Sequence, residues 1–148
     1  MSVRRDFPDI PPVWALGVAA AQWAAAALLP VLRFELEWLG WALVLAGLAL
    51  GVWAAVWFRR KRTSIEPRDV PRALIVEGPF RVNRNPIYTG FALILLGWGV
   101  LLGALSAALL SAAFPLAIDR RFVRGEEAAL RAAFGPEADR YIAATRRW

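Results

Sequence analysis

IYTGFALILLGWGVLLGALSAALLSAAFPLAI, residues 87–118, is the stretch on which the fold turns. Its 32 residues hold no charge, whereas a hydrocarbon core of about 30 Å is crossed by about 20 helical residues rising about 1.5 Å each. The run is too long for one ordinary crossing and short for two. A tight helical hairpin resolves the mismatch. Gly103 with Ser106 supplies the bend, and Gly90, Gly97 and Gly99 let the backbones approach closely, as small residues do between membrane helices. One long tilted helix is the competing arrangement.

Two further charge-free runs precede it. Residues 13–32 (VWALGVAAAQWAAAALLPVL) and 38–58 (WLGWALVLAGLALGVWAAVWF) each have the length of a crossing, and the second carries Trp38, Trp41, Trp53 and Trp57 toward its ends, where interfacial aromatics belong. A cleaved signal peptide is the rival for the first run, but the run exceeds an apolar region of about 7 to 15 residues and follows a proline pair. With 59% apolar residues in a chain of 148, the composition lies far above the soluble norm. The expectation is an all-α integral membrane protein, one domain over 1–148, with four transmembrane helices at 13–32, 38–58, 87–102 and 104–118, the last two paired as the hairpin.

A net charge of +6 would suggest nucleic acid in a soluble protein, but here the charge lies between the apolar runs. Segment 59–86 has eight Arg or Lys against three acids and 119–148 has seven against five, while the 33–37 turn is acidic by one. Cationic bias puts the first two on the cytoplasmic side of an inner membrane, with both termini inside and no nucleic-acid partner. The run Arg59-Arg60-Lys61-Arg62 reads as a stop-transfer signal and anchor for anionic lipid, with substrate binding as the competing role. Residues 63–86 contain Pro67, Pro71, Pro79 and Pro86, which predicts an ordered loop with a short strand-like piece near Ala73 to Val76. From Arg121, the positions Phe122, Ala129, Leu130, Ala133 and Phe134 predict a short amphipathic helix stopped by Gly135-Pro136. One or two turns then follow over Asp139 to Arg147, before an exposed Trp148.

The chain has no His and no Cys. That removes an imidazole base, a thiolate nucleophile, a disulfide and a zinc site of the usual kind, so no metal is expected. Catalysis is left to carboxylates, Arg, Tyr, Asn or a bound cofactor.

Three motifs in order, GPFRVNRNPIYTG at 78–90, Gly97-Trp98-Gly99, and EEAALRAAFG at 126–135, resemble the membrane methyltransferase superfamily of isoprenylcysteine carboxyl methyltransferases and phospholipid N-methyltransferases. The resemblance covers about residues 63–148. It implies an S-adenosylmethionine site walled by the cytoplasmic ends of the last helices, with 63–86 and 119–148 folded over the cofactor. A small-molecule or lipid acceptor would enter sideways from the bilayer. It also nominates Arg84, Asn85, Tyr88, Gly90, Gly97, Gly99, Glu126 and Glu127 as cofactor-binding. Where the family pattern has a second tyrosine and a later basic residue, this chain has Ala138 with Tyr141 and then Ile142-Ala143-Ala144. Only Arg146 and Arg147 remain as substitutes, so Arg147, with Glu126, is the candidate for direct work on the acceptor. Asn85 stands where many relatives have His.

Each nomination has a physical reason and a plainer rival. A carboxylate accepts from ribose hydroxyls or offsets the methionyl ammonium; its rival is a solvated helix face paired with Arg120, Arg124 or Arg131. Consecutive helical positions point about 100° apart, so one acid of the pair, Glu127, is expected to face the pocket. Arg84 suits a carboxylate bidentately, against one more inside-facing charge. Tyr88 suits adenine or the sulfonium, against a belt tyrosine, and the glycines suit helix packing as well as cofactor contact. Rival readings of the whole are a non-catalytic scaffold gripping anionic lipid and an NADPH-dependent sterol-reductase-like enzyme.

Overall fold

The computed structural model describes residues 7–148; Arg4, Arg5 and Asp6 of the N-terminal charge cluster lie outside the described residues. The described residues form helices and connections, without a strand. Helix α1 spans Pro11–Leu28, α2 Glu37–Arg60, α3 Pro86–Leu101, α4 Leu105–Leu110, α5 Ala113–Ile118, α6 Arg124–Phe134 and α7 Pro136–Ala144. A 3-10 turn at Gly78–Arg81 precedes α3, and a π turn at Asp119–Val123 joins α5 to α6.

Of these, α2 is long and apolar enough to cross a membrane, with a mean hydropathy of 2.1 over its most apolar 18 residues. Only 17% of that window is buried within the protein, so α2 is not the wrapped core helix of a soluble domain. Its outer face exposes Trp38, Trp41, Leu45, Leu48, Val52 and Trp53, an apolar surface that water would not tolerate at this extent. Helix α3, apolar over 16 residues, packs along α2. Their contact is made by two glycine pairs, Gly40 with Gly97 and Gly47 with Gly90. A Cβ on Gly47 would stand 2.5 Å from the Gly90 carbonyl oxygen, and one on Gly97 would stand 2.6 Å from that of Gly40. Seven residues separate the glycines on each helix, two turns, so both pairs fall on one seam and the backbones touch.

Several expected boundaries shift. The first helix stops at Leu28 rather than 32, because Pro30 has no N–H to continue the ladder and disfavours helical geometry at the residue before it. The hairpin bend falls at Leu102 and Gly103, the latter at a φ of +65° that favours glycine, while Ser106 lies inside α4. The expected 104–118 helix is broken in two. Pro115 cannot donate to the Ser111 carbonyl, and the Ser111 hydroxyl instead bonds the Ala108 carbonyl at 2.7 Å. Beyond it no new helix starts at Arg121: the chain runs from α5 through the π turn into α6, with the Arg124 N–H bonded to the Asp119 carbonyl. Ala73 to Val76 is irregular chain, a bend at Ala73 followed by three residues outside any strand.

At the hairpin end, the Phe34 N–H donates to the Gly103 carbonyl at 3.1 Å and the Leu105 N–H to that of Val31 at 2.9 Å, stitching the two helix links together. Helix α1 is held by one fully buried amide: Gln22 Nε2 donates to the Leu95 carbonyl of α3 at 2.8 Å and to the Ala107 carbonyl of α4 at 2.9 Å. At the other end, Phe114, Ile118, Phe122 and Val123 pack with Tyr88 and Leu95, and Ala54, Ile75, Phe80 and Tyr141 form a second cluster under the loop. The helix seam thus sets where the loop and the C-terminal helices converge. Gly47→Ala should lower stability in detergent by about 1 to 3 kcal/mol, since its clash is with backbone. Gly51→Ala, whose Cβ meets nothing within 4 Å, should be neutral or raise the thermal midpoint through helix propensity; equal effects of the two would refute the seam.

Candidate functional site

The loop enters α3 through two asparagines. Asn83 Oδ1 accepts from the Asn85 N–H at 2.7 Å, and Asn83 Nδ2 donates to the Thr89 hydroxyl at 2.6 Å, a turn that places Pro86 at the first helical position. This geometry sets Arg84 against the C-terminal tail. The Arg84 N–H donates to the Arg146 carbonyl at 2.8 Å, the Arg146 N–H to that of Val82 at 3.0 Å, and Asn85 Nδ2 to that of Arg147 at 3.0 Å. The Arg84 guanidinium caps the end of α7, donating to the Ile142 carbonyl at 2.6 Å and to the Thr145 carbonyl.

From there the network reaches Glu127, one of the two nominated acids. Arg84 Nη2 donates to Glu127 Oε1 at 3.1 Å, and Arg147 grips the same carboxylate bidentately, Nε to Oε1 at 2.9 Å and Nη2 to Oε2 at 2.7 Å. The third Arg147 nitrogen donates to Asp119 Oδ1 at 3.0 Å, whose other oxygen accepts from Arg124 at 3.1 Å. Glu126, one position before Glu127 and turned away from it, accepts from the Tyr88 hydroxyl at 2.5 Å. Burial pushes the Glu127 carboxyl up, but the hydrogen bonds and charges of Arg147 and Arg84 outweigh it and hold it below the usual glutamate range. Burial instead wins at Glu126, raising its carboxyl by more than the Tyr88 hydrogen bond and the Arg68 charge lower it.

A second clasp closes the far side. Asp9 accepts from Arg121 at 2.9 Å, from Arg68 at 2.5 Å and from Trp14 Nε1 at 3.0 Å, tying the loop, the π turn and α1 together. The Arg121 and Arg68 guanidinium groups hold its carboxyl well below the usual range despite desolvation. Arg68 also lies over the Phe122 ring, 4.9 Å from its centroid.

Beside the network lies an open cavity of about 470 Å³, within the range of about 300 to 1,000 Å³ typical of small-molecule sites. Ala92, Pro115 and Leu116 make its apolar side; Thr89, Asp119, Arg120, Arg124 and Trp148 make its polar one. The structure therefore gathers Arg84, Asn85, Tyr88, Glu126, Glu127 and Arg147 at one place but does not put the paired acids on the cavity wall. That position belongs to Asp119, in the π turn, whose extra residue rotates the helix beyond it by about 100° relative to a straight one. Asp119, Asn83 and Trp148 were not nominated as site residues, since Asp119 and Trp148 lie outside the three motifs and Asn83 holds a position within the first to which the resemblance assigns no role. Gly90 and Gly97 are buried in the seam with α2, and Gly99 against Ala107, Ala108 and Gln22, so the packing role accounts for all three.

The residues present fit S-adenosylmethionine. Arg84 Nε is buried and has no hydrogen-bond partner, an orphaned donor suited to a carboxylate, and the cavity wall offers the Asp119 carboxylate, the Thr89 hydroxyl and the aromatic ring of Trp148. Compared with known proteins, residues 36–137 match the family model described as Phospholipid methyltransferase. No curated protein and no solved structure matches the chain.

The opposite displacements of the two neighbouring acids give opposite pH dependences. Glu127, depressed, stabilises the fold above the ordinary glutamate range and loses that contribution as pH falls through its lowered value. Glu126, raised, costs stability as pH climbs above that range. Thermal midpoints in detergent should show Glu127→Gln falling further below wild type as pH rises from acid to neutral. Glu126→Gln should gain on wild type over the same interval, and parallel curves would contradict the assignment.

Proposed function

The chain belongs to the phospholipid methyltransferase family, and on that premise we propose that it is an S-adenosylmethionine-dependent methyltransferase acting on a lipid-like or small apolar acceptor at the cytoplasmic membrane face. In this reading α1, α2, α3 and the α4–α5 pair each cross the bilayer, and both termini face the cytoplasm. The observation that carries it is the convergence of Arg84, Glu127 and Arg147 in one buried network beside the cavity.

Arg84, Asp119, Glu127, Tyr88 and Trp148 would hold the cofactor, which when bound supplies an electrophilic methyl group. Arg84, through its unpartnered Nε, would meet its carboxylate, and Asp119 or Glu127 its ammonium or ribose hydroxyls, by charge-assisted hydrogen bonds. The apolar strip Ala92, Pro115 and Leu116 leads from the helices toward these groups, and offers an acyl chain a path into the site. An amine acceptor must lose a proton, and Glu126, bonded to the Tyr88 hydroxyl, is the candidate base in this reading. A carboxylate acceptor would instead need Arg147, whose three guanidinium nitrogens are committed to Glu127 and Asp119.

A ligand panel tests this. Purified protein in detergent should show a thermal shift with S-adenosylmethionine and none with ATP or NADPH. Glu127→Gln should weaken that binding by about tenfold or more. No shift with any of the three would favour a non-catalytic scaffold, and a shift with NADPH alone would favour a reductase.

A further inference from the structure

The end of α2 carries a charge pattern that the methyl-transfer site does not use. Arg59 and Arg60 form its last turn, and Arg62 follows at the start of the loop. The loop folds back on that end. Lys61 pairs with Glu77, the Arg72 N–H donates to the Thr63 hydroxyl at 3.0 Å, and the Gly78–Arg81 turn packs on α2 with Gly78 against the Trp57 ring. These ties bring Arg72 and Arg81 to the same end of the helix as Arg59, Arg60 and Arg62. All five guanidinium groups are exposed, and none has a carboxylate partner among the described residues. Of the three acids in 59–81, Glu77 is taken by Lys61, Asp69 accepts from the Ser64 hydroxyl, and Glu66 pairs with none of the five arginines.

The patch is continuous with apolar surface rather than surrounded by polar surface. Trp53 and Val56 of α2 are exposed, Val82 beside Arg81 is 67% exposed, and Arg60 lies 5.3 Å from the centroid of the Trp57 ring. An RNA or an acidic protein would meet the cations but leave that apolar surface in water. We propose that Arg59, Arg60, Arg62, Arg72 and Arg81 form a docking surface for anionic phospholipid headgroups, seated where α2 leaves the hydrocarbon. The acyl chains lie along the exposed face of α2, and the phosphates meet the guanidinium groups. At the opposite end of α2, Glu35 and Glu37 stand exposed and Arg33 donates to the Ala26 carbonyl, so the preference belongs to one leaflet. The surface is independent of the methyltransferase reading: it holds for an inactive relative as well.

The test uses the full chain in phosphatidylcholine nanodiscs containing spin-labelled phosphatidylglycerol or spin-labelled phosphatidylcholine, comparing the motionally restricted fraction of each. The expected result is a preference of about fivefold for the anionic label, the worth of one basic residue near an anionic surface, diminished by high salt. The variant Arg59→Gln with Arg60→Gln, Arg62→Gln and Arg81→Gln should abolish it, and Arg140→Gln on α7 should leave it intact. Because cations flanking a crossing also fix its orientation, Arg72→Gln with Arg81→Gln, away from the helix itself, serves as the second variant and should reduce the preference by at least half. Equal restriction of the two labels in the wild-type protein, or a preference untouched by both variants, overturns the proposal. So does binding of an RNA oligonucleotide by detergent-solubilised protein without lipid preference.

Discussion

One carboxylate, that of Glu127, is shared by two guanidinium groups that reach it from opposite sides. Arg84 comes from the loop before α3 and Arg147 from the tail after α7. Arg84 could not be stripped of water at this depth without it, and a buried carboxylate would be as costly alone, while Arg147 reaches in from a partly exposed position. Because Arg84 also caps α7, the ion triad fixes the α6–α7 corner against the start of α3, and Asp119 extends it to the π turn. What the network gains over an apolar plug of equal volume is direction: three elements distant in sequence meet in one orientation.

That orientation would mean little without the seam beneath it. The glycine pairs bring α2 and α3 into backbone contact, and in an environment where apolar side chains gain nothing from leaving lipid, such contact is where packing energy is found. The seam ends close to Ala54, which is fully buried, and Trp57, which receives the Gly78 turn. The loop therefore starts from a surface whose position the helices have already settled.

Much of this was readable from residue order. Charge-free runs located the apolar helices because the bilayer constraint acts on composition over about 20 residues and needs no knowledge of neighbours. Glu126, Glu127, Arg84, Asn85 and Tyr88 were found by motif, and the structure brings them together. Features that depend on a single backbone donor were missed. Pro30 and Pro115 each end or break a helix inside a run whose average hydropathy is unchanged, and the π turn leaves no compositional mark. The pairing of Glu127 with Arg147 was also out of reach: 20 residues and a helical corner separate them, so no periodicity links the two. The glycines were legible as close-approach residues, but which neighbour they approach was not.

Gln22 bears on the remaining helix. Around it α1 is mostly alanine, and nearly smooth cylinders can roll or slide past one another at little cost, since one methyl-lined face is much like the next. A side-chain NH2 group that donates at once to carbonyls of two different helices permits one angle of rotation and one depth, so α1 is keyed rather than wedged into place. A single polar side chain thereby does for α1 what a whole pattern of bulky residues does for helices in water.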